Sequence, residues 1–294
     1  MGGSWSGQHT ADLLRGPVLH TYGGAFIDVS IILLRTLDDY FWRELEDPNS
    51  PYEVFTPLCF DALVANNMVA SRKGNIFMKA WHELFAHLWE DRTNADDIRL
   101  HPLVDPFQKA LELPNVAKKG YTWDWRADVS AVMDYATQSL SWYRLAMVDG
   151  GGKETNWAQY AQDHVLYSDA WYEHYAANAE LGFYGQQILD CLTTPLNADP
   201  ESWEYKRAYK LIWKLLTSTS MIKGTTYTNL LATPELGALL NRPENQDKDI
   251  RPGTFGALLR YGSVHFEQTR KDMVRMKYTP LAVFNKALLE IFEV

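Results

Sequence analysis

An apolar run with one carboxylate inside it constrains this chain more than any other feature of its sequence. Residues 25–34 read AFIDVSIILL, aliphatic and β-branched side chains typical of a buried strand. Gly23 and Gly24 stand directly before the run and punctuate the chain. Asp28 interrupts it, and a buried aspartate is costly unless it is paired, hydrogen-bonded or bound to a metal. The sequence therefore predicts a carboxylate with a specific partner at this position.

Ser30 follows Asp28 after one intervening residue. On a continuous strand, side chains two residues apart point to the same face, so we expect Asp28 and Ser30 side by side. Two oxygen ligands in that arrangement suit a hard cation that bridges two phosphates. A serine hydroxyl lacks the charge of a carboxylate and is the weaker ligand. Mg²⁺ or Mn²⁺ is the candidate cofactor, with Asp28 as its main ligand and Ser30 as a weak one.

A helix is predicted just before the glycine pair, over residues 9–21, with Thr10 as its N-cap and Pro17 limiting or kinking it. Asp12 and Arg15 are three residues apart and share one face of this helix. They could form an ordinary surface ion pair. Because the helix leads into the glycine turn and then into the strand with Asp28, joint action on one ligand is the favoured interpretation.

The spacing of apolar residues divides the chain into two portions. A strand near residues 62–71 and an amphipathic helix over residues 76–89 complete an α/β portion, which we place at residues 1–115. From about residue 124 apolar residues recur every three or four positions, which predicts a large, mainly α-helical lobe over residues 116–294. Its helices are expected at 125–148, 155–179, 182–193, 201–219 and 280–293.

Composition excludes several classes of protein. The formal net charge of −9 repels nucleic acid and anionic membrane surfaces, so we expect neither as a partner. No run of eighteen apolar residues predicts a transmembrane segment, and the first residues do not resemble a signal peptide. The two cysteines, Cys59 and Cys191, are too few for a disulfide framework. A cytoplasmic or otherwise intracellular location is the expectation.

Read as one string, residues 9–39 (HTADLLRGPVLHTYGGAFIDVSIILLRTLDD) resemble a known family. The string is similar to the sugar-transferase and capsular-polysaccharide-synthesis glycosyltransferases, in which a D-x-x-R helix precedes a Y-G-G turn and a D-x-D or D-x-(S/T) strand. Asp12 and Arg15 match the first motif, residues 22–24 the second, and Asp28 with Ser30 the third. Residues 64–77 (VANNMVASRKGNIF) match a further strand and loop of the family.

The resemblance implies a fungal-type member with the GT-A fold of nucleotide-diphospho-sugar transferases. It implies transfer of a hexose from a nucleotide sugar to an unknown acceptor, with retention, as in polysaccharide biosynthesis. Arg15 and a cation at Asp28 would stabilise the departing diphosphate and are the candidate catalytic groups. His265 is a further candidate because many GT-A enzymes bring a late residue back onto the diphosphate or metal. The substrate-binding candidates are Asp12, Arg15, Tyr22, Gly23, Gly24 and Asn67.

Two alternatives stay open. Asn67 faces the donor or the acceptor, or it holds the strand exit in an Asx-turn. The chain could also be a degenerate relative that keeps the fold and serves as a binding or scaffold protein, or as a repurposed enzyme of small-molecule biosynthesis. The weak ligand Ser30 favours that reading. So does the short stretch before Asp12, since the fold usually places a first strand and a nucleotide-contacting loop there, and we expect an N-terminally short member.

Overall fold

The computed structural model describes residues 2–59, 63–110, 126–225 and 230–292 of the chain. The strands in these ranges are β1 (Gly24–Ile27), β2 (Ile31–Leu33), β3 (Val54–Cys59), β4 (Leu63–Val64), β5 (Met68–Ser71), β6 (Val165–Asp169), β7 (Met221–Lys223) and β8 (Arg275–Met276). The first six helices are α1 (Ser6–Tyr22), α2 (Arg43–Glu46), α3 (Ile76–Leu88), α4 (Asp105–Ala110), α5 (Val129–Tyr135) and α6 (Thr137–Leu145). The others are α7 (Trp157–Asp163), α8 (Ala170–Glu173), α9 (Ala176–Leu181), α10 (Gly185–Thr193), α11 (Trp203–Ser218), α12 (Leu236–Leu240) and α13 (Phe255–His265).

A mixed sheet forms the centre of the fold, with the strand order β1-β5-β3-β6-β8 and β4 paired to β3. Strands β3 and β6 run parallel from Val54 opposite Val165 to Leu58 opposite Asp169, and the other pairs in the sheet are antiparallel. All six residues of β3 are buried, as expected for a central strand. The architecture is therefore mixed α/β.

The two faces of this sheet pack against different helical segments. Side chains alternate along a strand, so Val54 and Leu58 of β3 join the core formed with α3 and α6, whereas Phe55 points to the opposite face. There Phe55 stacks on Phe41 of the π-helical turn Asp38–Trp42, with their ring centroids 4.0 Å apart. The central sheet is covered on both sides.

A second, smaller sheet pairs β2 with β7, so that Ile31 lies opposite Lys223 and Leu33 opposite Met221. A separate apolar core surrounds it, formed by α10, α11, α12 and α13. The chain passes from the first sheet to the second within residues 28–30, between the end of β1 and the start of β2. Strand β2 thereby ties the N-terminal segment to elements almost 200 residues later in the chain.

The predicted strand over residues 25–34 is therefore wrong as one continuous element. Asp28 still donates its backbone N–H to the Asn67 carbonyl at 2.9 Å, but the chain then turns at Ser30, whose φ of 62° lies in the left-handed region. A non-glycine residue with positive φ cannot continue a strand. Because of this turn, Asp28 and Ser30 do not project side by side from one strand face.

Several helices agree with the sequence pattern. Helix α3 begins after Asn75, whose side-chain oxygen accepts from the Met78 N–H at 3.0 Å, and α10 and α11 fall within the predicted ranges. Helix α1 starts earlier than predicted, at Ser6, and it includes Pro17. Thr10 is not its N-cap, since its hydroxyl donates to the Ser6 carbonyl at 2.7 Å within the helix.

The C-terminal half is less helical than predicted. Residues 155–179 contain strand β6 between short helices, and β7 and β8 also come from this half. Residues 280–292 form no helix. The buried guanidinium of Arg144 donates to two backbone carbonyls of this segment, to that of Leu288 at 3.0 Å and to that of Glu290 at 2.7 Å. The division at residue 115 stays a prediction, although the central sheet draws strands from both sides of it. In the described ranges, no helix is long and apolar enough to cross a membrane.

Candidate active site

A cavity of about 100 Å³ opens where α1, the end of β1, the turn before β5 and the end of β7 meet. The chain reaches it by reversing direction at Gly23 and Gly24. Arg15 lies about 10 Å along the helix from Tyr22, and Asp28 about 13 Å along the strand from Gly24, so the reversal returns Asp28 to the level of Arg15. The charged and polar side chains that line the cavity include Asp12, Arg15, Asp28, Asn67, Tyr175 and Lys223.

Asp12 and Arg15 form the tightest ion pair of this cavity. Arg15 Nη2 lies 2.8 Å from Asp12 Oδ1, and both side chains are buried. The guanidinium also donates to the Asn66 carbonyl at 2.5 Å and stands 4.4 Å from the centre of the Phe26 ring. The predicted shared face is confirmed, and the surface ion-pair alternative is wrong because the pair is buried. These contacts hold Arg15 in one orientation.

Asp28 lies between two cations. Its Oδ1 is 3.8 Å from Arg15 Nη2, and its Oδ2 is 3.4 Å from Lys223 Nζ. The Asp28 side chain is 31% exposed, whereas the Arg15 and Lys223 side chains are only 3% and 6% exposed. A partly exposed carboxylate that reaches the cavity is thus flanked by two buried positive charges, each of which needs a partner of opposite charge.

Lys223 is held at the end of β7, where it also donates to the Val29 carbonyl at 2.9 Å. Burial lowers the pKa of its ammonium below the usual value, and the neighbouring Asp28 carboxylate partly opposes that shift. Burial, together with the carboxylates of Asp12 and Asp28, raises the pKa of the Tyr135 hydroxyl at the cavity wall. Tyr135 therefore stays neutral at physiological pH.

Asn66 and Asn67 form the turn between β4 and β5, and both line the cavity. The Asn66 amide donates to Asp12 Oδ1 at 3.2 Å and to the Gln138 side chain at 2.9 Å. Asn67 donates to the Tyr175 hydroxyl at 3.0 Å, and its Oδ1 is buried with no hydrogen-bond partner in the described structure. An unpaired buried acceptor at a cavity wall can receive a ligand hydroxyl.

Five residues singled out by the sequence do not line this cavity. Tyr22 is exposed at the end of α1, and Gly23 and Gly24 form the turn at the far end of β1, with φ angles of 70° and 96°. His265 lies at the end of α13 and lines a different groove together with Arg35 and Arg270. Ser30 is exposed, and its carbonyl accepts from the Gly224 N–H at 2.7 Å.

Lys223, Asn66 and Gln138 were not predicted from the sequence. Lys223 lies in a stretch without a recognisable motif. The one signal in the sequence that could have indicated it is its position directly after two apolar residues, Met221 and Ile222, with which it is buried in β7. Asn66 stands beside the predicted Asn67, but sequence alone does not say which of two adjacent amides faces Asp12. Gln138 lies on α6, more than 120 residues from Asp12.

The side chains at the predicted metal position do not fit a divalent ion in the arrangement that the D-x-S spacing suggests. Ser30 Oγ lies close to Gly237: a Cβ added to Gly237 would be 3.4 Å from this oxygen. Both Asp28 oxygens already face cations, so an added ion would stand beside the Lys223 ammonium. Among the described residues, no group of three or more His, Cys, Asp or Glu side chains could hold a metal. Use of Mg²⁺ or Mn²⁺ stays a prediction.

The mixed α/β fold and the D-x-x-R pair at a charged cavity are consistent with an α/β glycosyltransferase. The chain is 42% identical to the probable glycosyltransferase FCK3 of Fusarium pseudograminearum, with 99% of this chain and 73% of the relative aligned. It is 33% identical to glycosyltransferase afumC of Aspergillus fumigatus (98% and 73% aligned) and 31% to O-glycosyltransferase braB of Annulohypoxylon truncatum (99% and 70%). The chain therefore belongs to the family of these fungal glycosyltransferases. No family model and no solved structure match it.

Proposed function

We propose that this chain transfers a hexose from a nucleotide sugar to a hydroxyl oxygen of an acceptor, with retention at the anomeric carbon and a GT-A arrangement of the donor site. The observation that carries the proposal is the charged cavity, in which Asp28 reaches solvent between Arg15 and Lys223. Relatives named O-glycosyltransferases support the hydroxyl as acceptor. The resemblance to capsular-polysaccharide enzymes stays a prediction about the acceptor class.

Each cavity group has a task that suits its chemistry. Asp28 accepts hydrogen bonds from hydroxyls of the donor sugar or ribose, since both of its carboxylate oxygens are acceptors and its side chain reaches the cavity. Arg15 adds positive charge on the side where the diphosphate leaves, while Asp12 fixes its orientation. Asn67 offers its unpaired Oδ1 to a sugar or acceptor hydroxyl.

Calorimetry with a panel of UDP- and GDP-sugars, each with and without Mn²⁺, tests the proposal. We expect at least one donor to bind, and Asp28→Ala and Asp28→Asn to weaken that binding at least about tenfold, because a hydrogen-bonded charge is lost. Asp163→Ala is the matched control, since Asp163 is exposed on α7 and contacts Gln159. Melting curves of each variant show whether it is folded.

The outcomes separate the two functions left open by the sequence. Release of nucleoside diphosphate from the bound donor, with an α-linked or β-linked product assigned by NMR, supports transfer and reports the stereochemistry. Donor binding with no turnover in the presence of candidate acceptors would favour the binding or scaffold alternative. If no nucleotide sugar binds under any condition, the proposed function is wrong.

A further inference from the structure

Lys223 lies next to Asp28, the residue beside which the family's spacing predicts a second metal ligand and a divalent ion. Its Nζ carries three N–H donors. One donates to the Val29 carbonyl at 2.9 Å, and Asp28 Oδ2 is 3.4 Å away, longer than the usual 2.7–2.9 Å of a charge-assisted hydrogen bond. The ammonium therefore retains donor capacity on the side that lines the cavity.

Lys223 is the less engaged of the two buried cations that line the cavity. Arg15 is already engaged, by Asp12 at 2.8 Å and by the Asn66 carbonyl. The Asp28–Lys223 pair is looser than the Asp12–Arg15 pair, so a phosphate oxygen can approach Lys223 without breaking a short ion pair. The pairing of β2 with β7 fixes the position of the ammonium. Lys223 lies opposite Ile31, and Ile31 follows Asp28 by three residues.

We propose that Lys223 supplies the positive charge that stabilises the departing nucleoside diphosphate, so that the reaction proceeds without a divalent cation. This rests on the proposed function. In the transfer, the bond between the anomeric carbon and the β-phosphate oxygen breaks, and its electron pair goes to that oxygen. The acceptor oxygen bonds to the anomeric carbon, and its proton passes to the departing phosphate. The Lys223 ammonium donates a hydrogen bond to the diphosphate as negative charge accumulates on it.

The test measures binding of UDP and GDP, and of uridine and guanosine as partners without phosphate, in buffer that contains EDTA and then in buffer with Mn²⁺. We expect the wild-type protein to bind a diphosphate in EDTA and Mn²⁺ to change its Kd by less than about threefold. Lys223→Met should weaken diphosphate binding at least about tenfold, because one charged hydrogen-bond donor is lost. It should leave binding of the nucleoside unchanged, which a general loss of structure would not do.

Further variants sharpen the result. Lys223→Arg keeps the charge and should retain most of the diphosphate affinity. Lys210→Met is the matched control, since Lys210 is an exposed lysine of α11 that forms an ion pair with Glu180 of α9. If Lys223→Met does not fold, the EDTA and Mn²⁺ measurements on the wild-type protein still test whether binding needs metal, and Lys223→Gln, which removes the charge but keeps hydrogen-bond donors, tests the role of Lys223. Hydrolysis of a bound nucleotide sugar, followed as release of nucleoside diphosphate, should show the same order of variants.

The outcomes distinguish this inference from the function on which it rests. Diphosphate binding that requires Mn²⁺, or that survives Lys223→Met, overturns the role of Lys223 and leaves the proposed function standing. A protein that binds no nucleotide with or without metal overturns both.

Discussion

His174 is a buried histidine whose surroundings change its pKa. Its side chain is buried, with Nε2 2.9 Å from the Tyr40 hydroxyl, which in turn lies 2.8 Å from Ser168 Oγ. Burial, reinforced by the positive charge of Lys223, lowers the pKa of His174 to about 3. In the unfolded chain a histidine has a pKa of about 6.5. The folded protein therefore binds one proton fewer than the unfolded chain between these two values.

This difference predicts acid sensitivity. Because the unfolded chain takes up the proton, the free energy of unfolding should be highest above about pH 6.5 and should fall by up to about 1.4 kcal/mol per pH unit towards pH 3. Urea denaturation between pH 4 and pH 7 should give a steeper loss for the wild-type protein than for His174→Gln. His265→Gln, which removes an exposed histidine, is the control and should keep the wild-type slope. Equal slopes for the wild-type protein and His174→Gln would contradict the prediction.

At the level of single residues, the sequence predicted the partnered Asp28 and the shared face of Asp12 and Arg15. Those inferences depend on local spacing and on the cost of burying a charge, which are properties of the chain itself. Lys223 could not be found in the same way. Its contact with Asp28 depends on the β2–β7 register, which joins segments almost 200 residues apart.

Among the elements, the turn between α1 and β1 sets the position of Asp28 relative to Arg15. Gly23 has a φ of 70° and a ψ of −165°, a region that glycine alone adopts readily, and an added Cβ would lie 2.7 Å from the Lys73 backbone nitrogen. Gly24 has a φ of 96° but open space around its Cβ position. The motif read as a substrate contact thus has a clear structural function.

The two glycines should therefore differ when replaced. Both alanine variants carry the backbone strain of a positive φ, and Gly23→Ala adds a collision with the backbone. We expect Gly23→Ala to lower the free energy of unfolding by about 1–3 kcal/mol more than Gly24→Ala does. Urea denaturation monitored by tryptophan fluorescence measures the difference. A larger loss for Gly24→Ala would show that the turn is set by something other than this close approach.

Element types were predicted well where periodicity is long and local, as in α3, α10 and α11. They were predicted wrongly where distant contacts decide. Residues 165–169 lie in a segment with helical spacing, yet they form β6 because β3 and β8 pair with them on either side. The break after β1 was also invisible, since the run AFIDVSIILL carries no glycine at Ser30, where the chain adopts its positive φ.

For the whole molecule, the position of β6 makes the stability of the two halves of the chain depend on each other. This strand comes from the C-terminal half, and it pairs with the fully buried β3 of the N-terminal half over residues 165–169. Without β6, one edge of β3 would lose its backbone hydrogen bonds and its apolar cover. We infer that neither half keeps its core alone.

We expect the whole chain to unfold in one cooperative transition, so that fluorescence and far-ultraviolet circular dichroism give coincident urea curves. A fragment of residues 1–115 should show no such transition and poor dispersion of its amide NMR signals. The full chain under the same conditions is the control. Two separate transitions, or a folded fragment, would instead support the boundary at residue 115 that the sequence suggests.

The three residues from Asp28 to Ser30 join strands that belong to different sheets, and this gives them an unusual evolutionary constraint. Val29 is 81% exposed, so many substitutions there would be accepted, as at an ordinary surface loop. Surface loops usually also accept insertions, but here both ends are locked in register with β5 and β7. One added residue would force β2 to slip and turn Ile32 to the other face, or would carry Asp28 away from Lys223. Homologous chains that keep this site should therefore vary in the identity of the middle residue while conserving the length of the link.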